Sequence, residues 1–172
     1  CEIWKELGSK TKIDFVVHEP SKNCIKRLEC NLNGFRSKTF SFDIRNNLVG
    51  KKSGWDWFIE DKDHHIGQCV SNRIETKGHR YSRKVNYSDL SQELECQMID
   101  LIKCDIEGSE IEFIKNYGSA LTNVNSIIIE THGDKAKSFV CKTMEEVGFD
   151  RYSSNDKKEQ RYSNLYFIKK IK

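Results

Sequence analysis

Asp105 and Glu107 stand two residues apart in the run Leu101-Ile-Lys-Cys-Asp-Ile-Glu-Gly-Ser109. A short apolar stretch delivers the Asp to its end, and Gly108 follows at once. A second run, Val124-Asn-Ser-Ile-Ile-Ile-Glu130, repeats the design and leads into Thr131-His132-Gly133. If the first strand continued, both carboxylates would point the same way. Apolar neighbours raise the pKa of such a group, and a cation such as Lys103 lowers it. His132 titrates near neutral pH and can act as general base for a hydroxyl. Carboxylates and a histidine at the C-terminal ends of two apolar strands, where open α/β sheets bind ligands, predict a nucleotide-like cofactor site. Two blander readings stand beside this one. Glu107 and Glu110 suit the first turn of a helix, where the dipole favours acids, and His132 suits a structural role.

A second group lies earlier in the chain. Glu19 ends an apolar run and precedes Pro20 and Ser21. A carboxylate placed there can accept hydrogen bonds from the vicinal hydroxyls of a ribose. Asp43, Asn46 and Asn47 follow the next strand and could bind an adenine edge, while Asn-Asn turn formation accounts for them equally well. His64, His65 and Cys69 have some metal character but no second pair of ligands. The reading therefore assigns no metal.

Positioning these groups requires strands and helices in alternation. Residues 13–17 read as a strand closed by Pro20. Ser21 caps a helix that puts Cys24, Ile25, Leu28 and Leu32 on one face, and Asn33-Gly34 ends it. Residues 39–43 alternate as a strand. Residues 44–86 are the least regular part, with hairpin arms at Trp55–Ile59 and Val70–Thr76. The stretch containing Lys77, His79, Arg80, Arg83 and Lys84, with Tyr81 inside it, reads as a solvated loop or an anion-binding surface. Beyond it come a short helix at 89–97, a strand at 99–104 and a helix at 107–117 with Ile111 and Ile114 inward. A strand at 124–130, a helix at 135–147 stopped by Gly148, and an antiparallel edge pair at 149–152 and 163–169 complete the order. With a helix over residues 1–7, this alternation predicts a mostly parallel sheet with helices on both faces.

Composition sets the bounds. The chain has 172 residues, enough for one domain with a real core. Its charged fraction of 32% and hydrophobic fraction of 37% describe a folded, water-soluble domain. No apolar run approaches the roughly 18 residues of a membrane helix. The net charge of +3 is too small to indicate nucleic acid by itself. Seven cysteines without a Cys-x-x-Cys pair read as reduced, buried thiols of a cytoplasmic protein.

The run Ile-Lys-Cys-Asp-Ile-Glu-Gly-Ser-Glu (102–110), followed by Ile-Ile-Ile-Glu-Thr-His (127–132), resembles the FkbM-type methyltransferases. Their hallmark is a Lys-x-Asp-x-Glu-Gly-x-Glu run with a later apolar strand ending in Glu and His. His18-Glu19-Pro20, followed by Leu28 and Asn31-Leu-Asn33, is similar to that family's Glu-Pro strand end and its Leu…Asn-x-x-Asn helix. The resemblance covers roughly residues 13–167, with an irregular insertion at about 51–86 unmatched. It implies a Rossmann-like class I methyltransferase sheet, S-adenosylmethionine as cofactor, and O-methylation of a hydroxyl. It places Glu19, with Pro20, at the ribose, Asp43 to Asn47 on the adenine side, and Asp105 beside the reacting methyl. The family's first strand and Gly-x-Gly-type loop have no counterpart here, so the expectation is an N-terminally truncated or degenerate relative.

The resulting expectation is one domain over 1–172 that methylates a small molecule or glycan, with Asp105, Glu107 or His132 as the base. Two alternatives remain open: an RNA-directed methyltransferase, supported only by the 77–84 basic stretch, and a non-catalytic Rossmann-like binding domain. An oxidoreductase is weaker, because no Gly-x-Gly-x-x-Gly occurs.

Overall fold

The computed structural model describes residues 12–35, 39–61, 67–70, 80–155 and 162–170. The chain divides into two compact units, Cys1–Leu48 with Ser53–Ser88, and Val49–Lys52 with Asp89–Lys172.

In the first unit, strand β1 (Ile13–His18) leads through helix α1 (Lys22–Leu32) to β2 (Phe40–Arg45), and the two strands pair in parallel. Phe15 of β1 stacks on Phe42 of β2 with ring centroids 4.9 Å apart. Pro20 cannot continue the ladder, and Ser21 then caps α1 by accepting the Cys24 N–H at 3.0 Å. Cys24, Ile25, Leu28 and Leu32 are half-buried while the other residues of α1 are exposed, as their spacing predicts. The helix ends by tightening into a 3-10 turn over Asn33–Phe35 rather than through a left-handed glycine.

The described residues between 51 and 86 form more regular structure than the sequence suggests. Strand β4 (Trp55–Asp61) pairs antiparallel with both β5 (Gly67–Val70) and β6 (Arg80–Ser88), and β3 (Leu48–Val49) flanks β6, giving the order β3-β6-β4-β5. Trp55–Ile59 is the predicted hairpin arm. The other arm expected at 70–76 is met only by Val70 in β5, and the rest of it lies outside the described residues, as do the 1–7 helix, His64, His65, Lys77 and His79. The alternation in β6 is masked by charge: Val85 is buried between exposed Lys84 and Asn86, and it packs with Leu48 and Phe58 in a small core.

The second unit contains α2 (Ser91–Cys96), β7 (Ile99–Cys104), α3 (Glu110–Tyr117), a 3-10 turn (Gly118–Asn123), β8 (Val124–His132), α4 (Asp134–Glu146), β9 (Phe149–Asn155) and β10 (Tyr162–Lys169). Its sheet has the order β7-β8-β10-β9. β7 and β8 are parallel, and β10 runs antiparallel to both neighbours. The antiparallel edge pair agrees with expectation. Ile127, Ile129, Met144, Phe149 and Phe167 are fully buried in the core of this unit, with α3 and α4 supplying Ile114 and Val140.

The architecture is mixed α/β, and three expectations need correction. Among the described residues most strand pairs are antiparallel, because β4 pairs antiparallel with β5 and β6, and β10 with β8 and β9. Helix α3 begins at Glu110 rather than Glu107, because Glu107 (φ 48°) and Gly108 (φ 93°) both adopt left-handed backbone. Its inward face is Glu110, Phe113, Ile114 and Tyr117, with Ile111 only half-buried. The cysteines are not uniformly buried: Cys104 is, but Cys30 and Cys96 are exposed. No helix of the described residues is long and apolar enough to cross a membrane.

Candidate functional site

Three chain segments of the second unit meet at the C-terminal ends of the parallel strands β7 and β8. β7 ends at Cys104 and hands on to Asp105. The left-handed pair Glu107-Gly108 then turns the chain into α3, and only glycine takes such a φ without strain at the second position. β8 ends at His132, and Gly133 (φ 89°) turns the chain into α4.

His132 is the centre of this group. Its Nδ1 lies 2.8 Å from Oε1 of Glu110, and its Nε2 lies 3.4 Å from Glu107 and 3.7 Å from Glu130. The Gly108 N–H donates to the same Glu110 oxygen at 2.7 Å. Glu110 is 0% exposed, and its Oε2 has no hydrogen-bond partner. Lys103 Nζ donates to Asp105 at 3.1 Å. The Tyr162 ring stands 6.3 Å from the imidazole, centroid to centroid, as the β8–β10 register requires.

The electrostatics follow from this arrangement. Partial burial works against a charged imidazole. The hydrogen bond to Glu110 and the charges of Glu110, Glu107 and Glu130 outweigh it, and His132 titrates above the usual histidine value. Beneath the site, burial and then the charge of Glu110 push the Cys104 thiol up to about 12, so this cysteine is inert as a nucleophile. Asp105, Glu107 and His132 each bring one ligand atom within 4.8 Å of the others, a spacing wide enough to share a cation.

In the first unit, Glu19, Pro20, Asn46 and Asn47 gather where β1 and β2 end. Glu19 accepts the Ser21 N–H at 2.7 Å. The Asn46 amide donates to the carbonyls of Glu19 and Pro20, each at 2.9 Å, and accepts from Arg83 Nη1 at 3.2 Å. Asn47 Oδ1 meets His18 Nδ1 at 2.8 Å. Asn46 and Asn47 therefore tie the two strand ends together. Asp43 does not follow the strand as expected. β2 runs on to Arg45, and Asp43 is an exposed residue within it, paired with Arg45 at 2.8 Å.

The structure thus brings Asp105, Glu107 and His132 together, and it separately brings Glu19, Pro20, Asn46 and Asn47 together. Sequence reasoning missed the part Glu110 plays. The signal was present: Glu110, Phe113, Ile114 and Tyr117 follow i, i+3, i+4, i+7 spacing, and a carboxylate in an apolar stripe must find a partner.

Comparison with known proteins decides the family. The Methyltransferase FkbM domain matches residues 5–151. The chain belongs to the FkbM methyltransferase family. It is also 28% identical over 136 residues to the hexuronic acid methyltransferase AglP of Haloferax volcanii, a match covering 79% of this chain and 54% of that protein. The chain therefore spans about half the length of this curated relative. No solved structure matches it. Methyl transfer is thus the activity of the family to which the chain belongs.

Proposed function

We propose that this FkbM-family chain binds S-adenosylmethionine and transfers its methyl group to a hydroxyl oxygen of a sugar or similar small molecule. The observation that carries the reading is His132, held at Nδ1 by buried Glu110, with Nε2 set among Glu107 and Glu130 at the strand ends. Bound there, S-adenosylmethionine would supply the methyl group, its sulfur keeping the electron pair of the broken S–C bond as the new O–C bond forms. His132 Nε2 would take the hydroxyl proton. Asp105 and Glu107 supply negative charge for the sulfonium. Glu19, with Pro20 at its turn, takes the ribose hydroxyls, and the Asn46–Asn47 corner serves the adenine. Asp43, tied to Arg45 in β2, is the weakest of the proposed cofactor contacts. Each β-α-β segment, β1-α1-β2 and β7-α3-β8, is a unit of the kind from which Rossmann-like sheets are built.

The charge of the site favours a neutral acceptor. Glu107, Glu110 and Glu130 surround one histidine, with Asp105 beside them paired to Lys103, and this excess of negative charge would repel the ionised carboxyl of a hexuronic acid. A hydroxyl of such a sugar carries no such penalty.

Calorimetry with S-adenosylhomocysteine, followed by methyl transfer to a panel of hexoses and hexuronates, tests the reading. Binding, with a methylated product that survives mild alkali, is expected, because a methyl ether is stable there and a methyl ester is not. An alkali-labile product would make a carboxylate the acceptor, and absence of binding would leave a non-catalytic domain. No step needs a metal, so dialysis against a chelator leaves turnover unchanged. A loss that magnesium restores would instead give Asp105, Glu107 and His132 to a cation.

A further inference from the structure

We infer that Glu110 is a positioning residue that fixes the proton of neutral His132 on Nδ1 and so presents Nε2 as the basic atom. The inference rests on the methyltransferase reading of the same site. Its physical basis is the burial of Glu110 in the first turn of α3, on the apolar face it shares with Phe113, Ile114 and Tyr117.

A carboxylate taken fully out of water is costly unless donors meet it. Both donors that meet Glu110, the Gly108 N–H and His132 Nδ1, converge on the same oxygen. An ionised carboxylate only accepts, so the nitrogen facing it must carry hydrogen. The hydrogen bond made by one ring nitrogen sets the state of the other. Nε2 makes no bond as short as the 2.8 Å one at Nδ1: Glu107 lies 3.4 Å and Glu130 3.7 Å from it, beyond the ordinary N–H···O range. The single proton of the neutral ring therefore stays on Nδ1, and Nε2 keeps the lone pair that would take the proton of an acceptor hydroxyl.

The local backbone fixes the aim of Glu110. The left-handed pair Glu107-Gly108 turns the Gly108 N–H onto Oε1 from one side, while His132 approaches that oxygen from the end of β8. One oxygen therefore joins the turn after β7, the first turn of α3 and the end of β8. A role limited to helix capping would engage the Gly108 N–H alone and would leave the imidazole free to adopt either tautomer.

The test reads the tautomer directly. In nitrogen-15 spectra of the labelled chain at alkaline pH, His132 is assigned as the signal lost in His132→Asn. The wild type is expected to carry its proton on Nδ1. Glu110→Gln keeps that tautomer, because the amide oxygen can accept the same N–H. Glu110→Leu populates both tautomers, and with S-adenosylmethionine and a hexose acceptor its kcat falls at least about 10-fold at nearly unchanged KM for S-adenosylmethionine. A proton on Nε2 in the wild type overturns the inference whatever the variants do, including the case in which Glu110→Leu does not fold. A folded Glu110→Leu protein that holds the wild-type tautomer also overturns it. Failure of the methyltransferase reading is seen separately, as absence of S-adenosylhomocysteine binding with the Nδ1 proton still in place.

Discussion

His132 sets the charge balance of the candidate site, and its titration gives a testable sign. Its folded pKa lies above the ordinary value of 6.5, with burial opposing and Glu110, Glu107 and Glu130 prevailing. A base must be neutral to accept a proton, so turnover rises with pH through a pKa above 6.5, and pH–rate profiles measure it. The linked stability runs the other way. A raised histidine stabilises the fold fully below its unfolded pKa, and this contribution is lost as pH climbs through the folded one. Urea unfolding at pH 6 and pH 9 should therefore show a larger loss at pH 9 for the wild type than for His132→Asn. Asp105→Ala should abolish turnover, and Glu19→Ala should mainly weaken cofactor affinity, which calorimetry measures. Normal turnover by Asp105→Ala would remove that residue from the reaction. Asp105, Glu107 and His132 are legible in the sequence because each follows or ends an apolar run. Glu110 is harder to read, because its partner His132 is twenty-two residues away and belongs to another strand.

At the scale of elements, the turn between β7 and α3 matters most. Gly108 has φ 93°, and a Cβ added there would meet no atom within 4 Å, so a side chain at this position brings backbone strain rather than a clash. Gly108→Ala should cost about 1 kcal/mol or somewhat more in urea unfolding. Loss of the Gly108 N–H aim would show as a drop in kcat beyond that stability change. The same turn explains why residue types place the start of α3 too early: acids and small residues at 107–109 suit a first helical turn, and nothing in them announces two left-handed residues in succession. α1 is legible because Cys24, Ile25, Leu28 and Leu32 form one stripe with polar residues around it. β6 is not, because its buried Val85 sits among Arg83, Lys84 and Asn86, and strand alternation is weak where one face carries long charged side chains.

At the scale of the whole chain, each unit has a core of its own, and the larger lies in the second. Met144 of α4 is fully buried there. Met144→Ala should cost about 2–5 kcal/mol, read as a lower urea midpoint for the signal of that unit. A shift below about 1 kcal/mol would mean that the core closes around the gap. Alternation of strands and helices is sufficient to predict α/β architecture. Sheet membership is not legible in the same way, because hydrogen-bonded partners such as β8 and β10 are chosen by contacts between distant segments. That choice has a consequence for the order in which the protein takes shape during synthesis. β10 lies between β8 and β9, and among the described residues β9 has no other strand beside it in the sheet. Until residues 162–169 have left the ribosome, β8 lacks its second neighbour and β9 its first. A nascent chain ending near residue 155 would thus expose two unpaired strand edges, and His132 would lack the Tyr162 ring beside it.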